Sequence, residues 1–122
     1  LIGNGNTTPG DTLCYVDATN GYLGVGDSST AVAATQTDLQ AATNKHREVL
    51  DAAPTHTPGT TSAAATITFI ATFETGDANF AWNEWGIFNA SSGGRMINRK
   101  VQSFGTKTSA DQWILTVTVT LA

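Results

Sequence analysis

The closing segment of this chain alternates threonine with aliphatic residues, and this pattern constrains the fold more than any other feature of the sequence. Residues 113–121 read WILTVTVTL, and residues 66–73 read TITFIATF. Side chains alternate between two faces only in an extended strand, so both segments are predicted to be β-strands with one buried face. The inward sets are Leu115, Val117, Val119 and Leu121 in the first segment and Ile67, Phe69, Ala71 and Phe73 in the second.

Further short strands are predicted from apolar alternation bounded by turn residues. They comprise residues 21–26, 85–88 and 96–101, with a hairpin turn at residues 90–94. Residues 13–16 are a candidate for one more short strand. Each strand has one polar and one apolar face, and the apolar face has to be closed by a second sheet. The sequence therefore predicts an all-β fold, an antiparallel β-sandwich of the jelly-roll kind.

The remaining segments are predicted to be an arm, one helix and a loop. Residues 1–12 are rich in Gly, Asn, Thr and Pro and are predicted to form an extended N-terminal arm, followed by a single β-sandwich domain over residues 13–122. Residues 38–43, with Asp38 as a cap, are predicted to form one short helix. Residues 44–53 are left open between helix and strand. Residues 54–61, with two prolines and a glycine, are predicted to be a loop.

Composition separates this chain from several functional classes. Charged residues make up only 13% of its 122 residues, whereas threonine accounts for about one residue in six. A net charge of −4 repels phosphate, so nucleic-acid binding is not expected. No run approaches 18 apolar residues, so no membrane-spanning segment is expected either. Cys14 is the single cysteine, which excludes an internal disulfide framework.

Residues 24–28 (GVGDS) are the one segment that invites an enzymatic interpretation. A phosphate-binding loop would need a third glycine, a lysine and a following helix, none of which is present. A hydrolase with Ser28 as nucleophile would need a histidine held by an acid, and neither His46 nor His56 has the expected spacing. Its Gly, Asp and Ser residues are typical of a β-turn, so we interpret the segment as a turn. We therefore expect no catalytic residues, no cofactor, no metal site and no enzymatic activity.

Two tryptophans three residues apart are the candidate contact residues of the central region. Odd spacing on a strand directs Trp82 and Trp85 to opposite faces, so that one fills the core and the other lies at a subunit contact. The alternative is that both belong to the core and that one indole N–H bonds to the adjoining loop. The sequence leaves both alternatives open.

The order of segments from residue 20 onward carries a family resemblance over roughly 100 residues. Its features are residues 22–30 (YLGVGDSST), 37–39 (TDL), 78–90 (ANFAWNEWGIFNA), 93–100 (GGRMINRK) and 107–109 (KTS), followed by the threonine-alternating strand. In these segments the chain resembles small structural proteins of tailed-bacteriophage virions. The resemblance implies a virion component, either a head decoration or fibre protein or a part of the tail.

The expected function is therefore assembly. We expect a capsid decoration protein on the virion exterior that binds the major capsid protein and copies of itself, with a trimer as one arrangement. The alternatives are a tail or tail-fibre component that binds other tail proteins, and a glycan-binding β-sandwich module that stacks sugars on exposed tryptophans. Besides the two tryptophans, the candidate assembly contacts are Leu1, Ile2, Arg95, Arg99 and Lys100.

Overall fold

The computed structural model of the chain describes residues 16–121. Within that range the chain forms seven β-strands and no helix. They are β1 (Tyr22–Gly26), β2 (Lys45–Val49), β3 (Thr55–Thr57), β4 (Ala65–Phe73), β5 (Ala81–Phe88), β6 (Met96–Thr106) and β7 (Trp113–Leu121). The predicted all-β fold is confirmed. The predicted arm, residues 1–12, lies outside the described residues, as does most of the candidate strand at residues 13–16.

The strands form two antiparallel sheets. The larger sheet has the order β2-β1-β5-β6, and the smaller sheet has the order β3-β4-β7. The two alternating segments that dominate the sequence pair with each other, from Ala65 opposite Leu121 to Phe73 opposite Trp113. The predicted hairpin between β5 and β6 is also present, and its turn contains Gly93 and Gly94 at positive φ.

Both sheets contribute side chains to one hydrophobic core. The predicted inward residues of β4 are all buried, and so are Leu115 and Val117 of β7. Leu121, however, is 49% exposed, so its predicted burial is wrong. The reason is its position in the last pair of the ladder, opposite Ala65, beyond Val119, which still packs against the core.

The helix predicted at residues 38–43 is not formed. The backbone N–H groups of Gln40 and Ala41 donate to the carboxylate of Glu84 at 2.9 and 2.8 Å, and the N–H of Leu39 donates to the side chain of Asp38. In a helix, backbone carbonyls accept such donors. Here an acidic side chain on β5 accepts them instead, and the segment runs as a loop.

Two further segments settle as strands. Residues 45–49, which the sequence left open, form β2 and pair with β1. The predicted loop at residues 54–61 is wrong in part, because three of its residues form β3. β3 pairs with β4, with His56 opposite Ile67, and so forms one edge of the smaller sheet.

Candidate functional site: a cleft between two sheet edges

An open cleft lies between β6 and β7, which are edge strands of different sheets. β6 follows β5 at one end of the larger sheet, and β7 follows β4 at one end of the smaller sheet. Neither strand has a hydrogen-bonded neighbour on its outer side within residues 16–121. Unpaired edges present backbone donors and acceptors that can pair with another chain. The cleft is thus bounded by two edge strands that have no strand partner on their outer side within residues 16–121.

The cleft contains two adjoining cavities of about 540 and about 170 Å³. Both are lined by Phe104, Leu115 and Thr116; the larger also by Trp82, Gln112, Trp113 and Ile114, and the smaller by Trp85, Gln102, Val117 and Thr118. These lining residues carry no titratable side chain. The cleft therefore offers apolar surface, two amides and two hydroxyls, which suit the binding of a neutral ligand or chain segment.

Aromatic packing fixes the deeper end of the cleft. Trp82 lies at the centre, with its ring 4.7 Å from that of Phe73 and 5.0 Å from that of Trp113, both edge to face. Its indole N–H donates to the carbonyl of Ala78 at 3.0 Å. Phe104, with its ring 6.4 Å from Trp82, is 39% exposed and forms part of the rim. The wall is rigid and buried, whereas the rim is open to solvent.

Both tryptophans of the predicted pair are buried in the same core. Trp82 is 2% exposed and Trp85 is 8% exposed, and both belong to the hydrophobic cluster between the sheets. Of the two alternatives that the sequence left open, the opposite-face arrangement is not formed, and the ladder between β5 and β6 shifts register between Trp82 and Glu84. The alternative with two core tryptophans is the one observed, including the bond from the Trp82 indole to the preceding loop. Only the edges of these side chains reach the cleft.

The three basic candidate contacts do not act as one cluster. Arg95 and Lys100 are exposed, the first in the turn before β6 and the second on the strand. Arg99 is only 7% exposed and is held in an ion pair within the chain. Leu1 and Ile2 lie outside the described residues. Arg95 and Lys100 are thus the members of the set whose side chains reach the surface.

A buried carboxylate on β5 is the site residue that the sequence analysis missed. Glu84 is fully buried, and its two oxygens accept the N–H groups of Gln40 and Ala41 and the Nε–H of Arg99. It lies opposite Gly26, where a Cβ would overlap the Glu84 carboxylate. Gly26 opposite Glu84 indicates that the carboxylate turns towards the neighbouring strand, but the two residues are known to be opposite only once the strand pairing is known.

The guanidinium of Arg99 extends the same network to the loop between β1 and β2. Its Nη1 donates to the carbonyl of Thr30 at 2.9 Å and to the side chain of Gln36 at 3.2 Å. Its Nη2 is buried without a hydrogen-bond partner in the described part of the chain. The Glu84–Arg99 pair therefore attaches this loop to the larger sheet at several points.

Asp38 anchors the end of the same loop to β2. Its carboxylate accepts bonds from Arg47 Nη2 at 3.0 Å and Lys45 Nζ at 3.2 Å, besides the N–H of Leu39. Partial burial alone would raise the pKa of Asp38, but these hydrogen bonds and the charge of Arg47 outweigh it, so the pKa lies below its ordinary value. The guanidinium of Arg47 also lies over the ring of Phe88, 3.7 Å from its centroid.

One group of side chains could hold a metal ion. Within residues 16–121, the ligand atoms of His46, Glu48 and Asp77 lie within 4.8 Å of one another. His46 Nε2 is 2.9 Å from Glu48 Oε2, and the imidazole packs edge-on against Phe73. One nitrogen and two carboxylates form a ligand set that Zn²⁺ accepts. The group lies at the β2 edge of the larger sheet and takes no part in the cleft.

Comparison with known proteins adds no relative. A scan against protein-family models and searches among curated proteins and solved structures found no match. Among the described residues, no helix is long and apolar enough to cross a bilayer. What the chain does is therefore inferred from its residues and its geometry.

Proposed function

We propose that this chain is a structural protein of a tailed-bacteriophage virion, which works by binding its neighbours and not by catalysis. Within that class we propose a capsid decoration protein that fastens to the capsid lattice and to neighbouring copies. The observation that carries the proposal is the cleft between β6 and β7, where two strand edges without a partner in residues 16–121 flank exposed apolar side chains.

The proposed scaffold is a jelly-roll-like β-sandwich. Two observations support it: both sheets contribute to one core, and the chain crosses between sheets at the connections β2–β3, β4–β5 and β6–β7. Such a scaffold holds its edge strands rigidly, so the surface offered to a neighbour is formed before binding. A preformed surface loses little conformational entropy on association.

The exposed apolar rim supports adhesion as the work of the cleft. Phe104 is 39% exposed and Ile114 is 61% exposed, and they lie beside the unpaired edges of β6 and β7. Apolar surface on an unpaired edge promotes association with other chains. In a lattice, many copies act together, so even a modest contact becomes strong through effective concentration. We propose that neighbouring subunits cover this rim in the particle.

The N-terminal arm is proposed to add a second attachment. Deletion of residues 1–12 is expected to leave the domain folded, with an unchanged circular dichroism spectrum, and to reduce attachment to particles in a sedimentation assay. Full-length chain serves as the matched control. Loss of folding on deletion would show that the arm belongs to the core, and unchanged attachment would remove the arm from the proposal.

Cryo-electron microscopy of particles that contain the chain tests the function directly. The expected result is density for two packed sheets on the capsid exterior, in contact with the major capsid protein. Density on the tail would replace the decoration role by the tail-component alternative. Absence of the chain from purified particles, checked by mass spectrometry of the same preparation, would refute the virion proposal as a whole.

A glycan-binding module is the second candidate, because the larger cavity is lined by aromatic rings. Its volume of about 540 Å³ lies within the range of small-ligand sites, and Trp113 is half-buried at its wall. Stacking on sugars needs a ring face open to solvent, which Trp82 and Trp85 do not offer. Binding of the isolated chain on a glycan array, abolished by Trp113→Ala, would favour this function. The circular dichroism spectrum of the Trp113→Ala variant controls for loss of folding.

A further inference from the structure

Among the four sheet edges formed by residues 16–121, β7 is the one whose strand lacks charge, short length and a bulge. Sheet edges are commonly protected by charge, by short length or by bulges. β2 carries four titratable residues in five (KHREV), β3 has only three residues, and β6 carries the exposed Lys100, a register shift and Gly105 at positive φ. β7 has nine residues without a charge, a proline or a glycine.

The central residues of β7 can also pair with the same residues of a second copy in an antiparallel register. In an antiparallel register centred on Val117, Thr116 of one copy faces Thr118 of another, and Leu115 faces Val119. Over residues 115–119, threonine thus meets threonine on the outer face and aliphatic meets aliphatic on the inner face, whereas Ile114 faces Thr120 and Trp113 faces Leu121 towards the ends. Because β7 is uncharged, no like charges are brought together by this pairing.

We propose that β7 pairs with β7 of a second copy about a twofold axis through Val117, so that the two smaller sheets become one continuous sheet. This inference rests on the proposed assembly function and names its first partner. A nine-residue strand spans about 30 Å, so the strand pair alone buries less than a standard interface of about 1,600 Å². Dimerisation is therefore expected to depend on protein concentration, and the exposed Ile114 and Phe104 lie beside the contact.

Charge introduced on the outer face of β7 tests the pairing. The variant Thr116→Lys/Thr118→Lys changes two exposed side chains and places lysines of the two copies opposite each other. The matched control is Thr55→Lys/Thr57→Lys, which makes the same change on β3, the opposite edge of the same sheet. Light scattering after size exclusion, over a range of concentrations, is expected to give dimers for the natural chain and the control and monomers for the β7 variant.

Thermal unfolding shows whether the β7 variant is folded. A dimer that persists in a folded β7 variant would overturn the inference, and so would a trimer as the natural state. If the β7 variant does not fold, disulfide cross-linking through Val117→Cys shows whether β7 pairs with β7 of a second copy.

Disulfide cross-linking tests the register independently. In a Cys14→Ser background, Val117→Cys places the two thiols opposite each other, at a Cα separation of about 4.5–5.5 Å that a disulfide can span. Val119→Cys is the control, because residues 119 of the two copies would lie about 13 Å apart along the strands. Mild oxidation is expected to give a covalent dimer with Cys at 117 only. Equal yields for both variants, or none at 117, would refute the register.

The outcomes separate this inference from the function on which it rests. If particles carry the chain but the chain does not pair through β7, only the inference about β7 is refuted. A β7 dimer absent from purified particles would refute the virion role alone.

Discussion

Replacing Glu84 by glutamine is expected to lower the free energy of unfolding by about 3–5 kcal/mol, because it removes one half of a buried ion pair. The carboxylate is fully buried and receives three donors, two from the backbone of the loop over the sheet and one from Arg99. Glutamine is close in size, so the substitution changes charge and hydrogen bonding while it leaves packing nearly unchanged.

The magnitude follows from what remains after the substitution. A glutamine side chain has one acceptor oxygen, and its amide nitrogen would point N–H groups at a backbone donor or at Arg99. The guanidinium of Arg99, whose side chain is 1% exposed, would keep its charge without a counterion. Each unsatisfied buried donor costs about 1–3 kcal/mol, and an uncompensated buried charge costs more. Natural domains are stable by about 5–15 kcal/mol, so the variant would lose a large share of its stability.

Urea unfolding followed by tryptophan fluorescence measures this loss. Glu74→Gln is the matched control, because Glu74 is exposed and its change is expected to cost less than about 1 kcal/mol. The double variant Glu84→Leu/Arg99→Met is expected to be more stable than Glu84→Gln, since it removes the unpaired charge. A loss below about 1 kcal/mol for Glu84→Gln would refute the conclusion that the substitution leaves a buried, uncompensated charge on Arg99.

Three further substitutions test the same packing. Gly26→Ala is expected to cost about 1–3 kcal/mol in urea unfolding, because the added Cβ overlaps the Glu84 carboxylate; a neutral result would contradict the close approach. Burial alone would raise the pKa of Asp38, but hydrogen bonds led by that from Arg47 lower it below 3.8, so its contribution is present above the unfolded pKa and lost as pH falls through the folded pKa. Between about pH 5 and pH 2 the free energy of unfolding should therefore fall less steeply in Asp38→Asn, with a difference under about 1 kcal/mol at this partly exposed site, and an unchanged slope in urea unfolding across this pH range would argue against the effect. Lys107→Met should cost about 1–3 kcal/mol, because the buried ammonium donates to a backbone carbonyl and to a side-chain amide; equal stability would show that neither bond contributes.

The strands were predictable where the sequence itself encodes a buried face. The bounds of β7 agree with the predicted segment, and β4 differs by one residue, because alternation of threonine with aliphatic residues is a local signal. The hairpin between β5 and β6 was also predictable from a local signal, because its glycines mark the turn.

The loop at residues 38–43 could not be assigned correctly from local signals. Its amide donors are satisfied by Glu84, which lies 43 and 44 residues further along the chain than Ala41 and Gln40. Asp38 resembles a helix cap in the sequence, but in the fold its carboxylate binds side chains of β2. Such long-range acceptors become visible only when the strand order is known.

The cleft was beyond sequence analysis because edge positions depend on sheet order. Nothing in the sequence of β6 or β7 states that each lies at the end of its sheet, and the two are brought together only because the chain crosses between sheets after β6. The sequence left open whether Trp82 and Trp85 share a face, because their shared face accompanies the register shift beside Trp82. Candidate contacts at the surface are thus harder to predict than the strands that hold them.

The placement of charge in this chain is the strongest physical argument for assembly. Glu84, Arg99 and Lys107 are buried, and their hydrogen bonds position loops. Burial of a charged group costs desolvation free energy, and only 13% of the residues in this chain are charged. Two of the four sheet edges carry charge and a third has only three residues, whereas β7, among the longest strands, carries none. A lysine in place of Thr116 would protect that edge in a protein that works alone. An edge left without such protection, beside the exposed Ile114 and Phe104, is the surface expected of a subunit whose neighbour covers it.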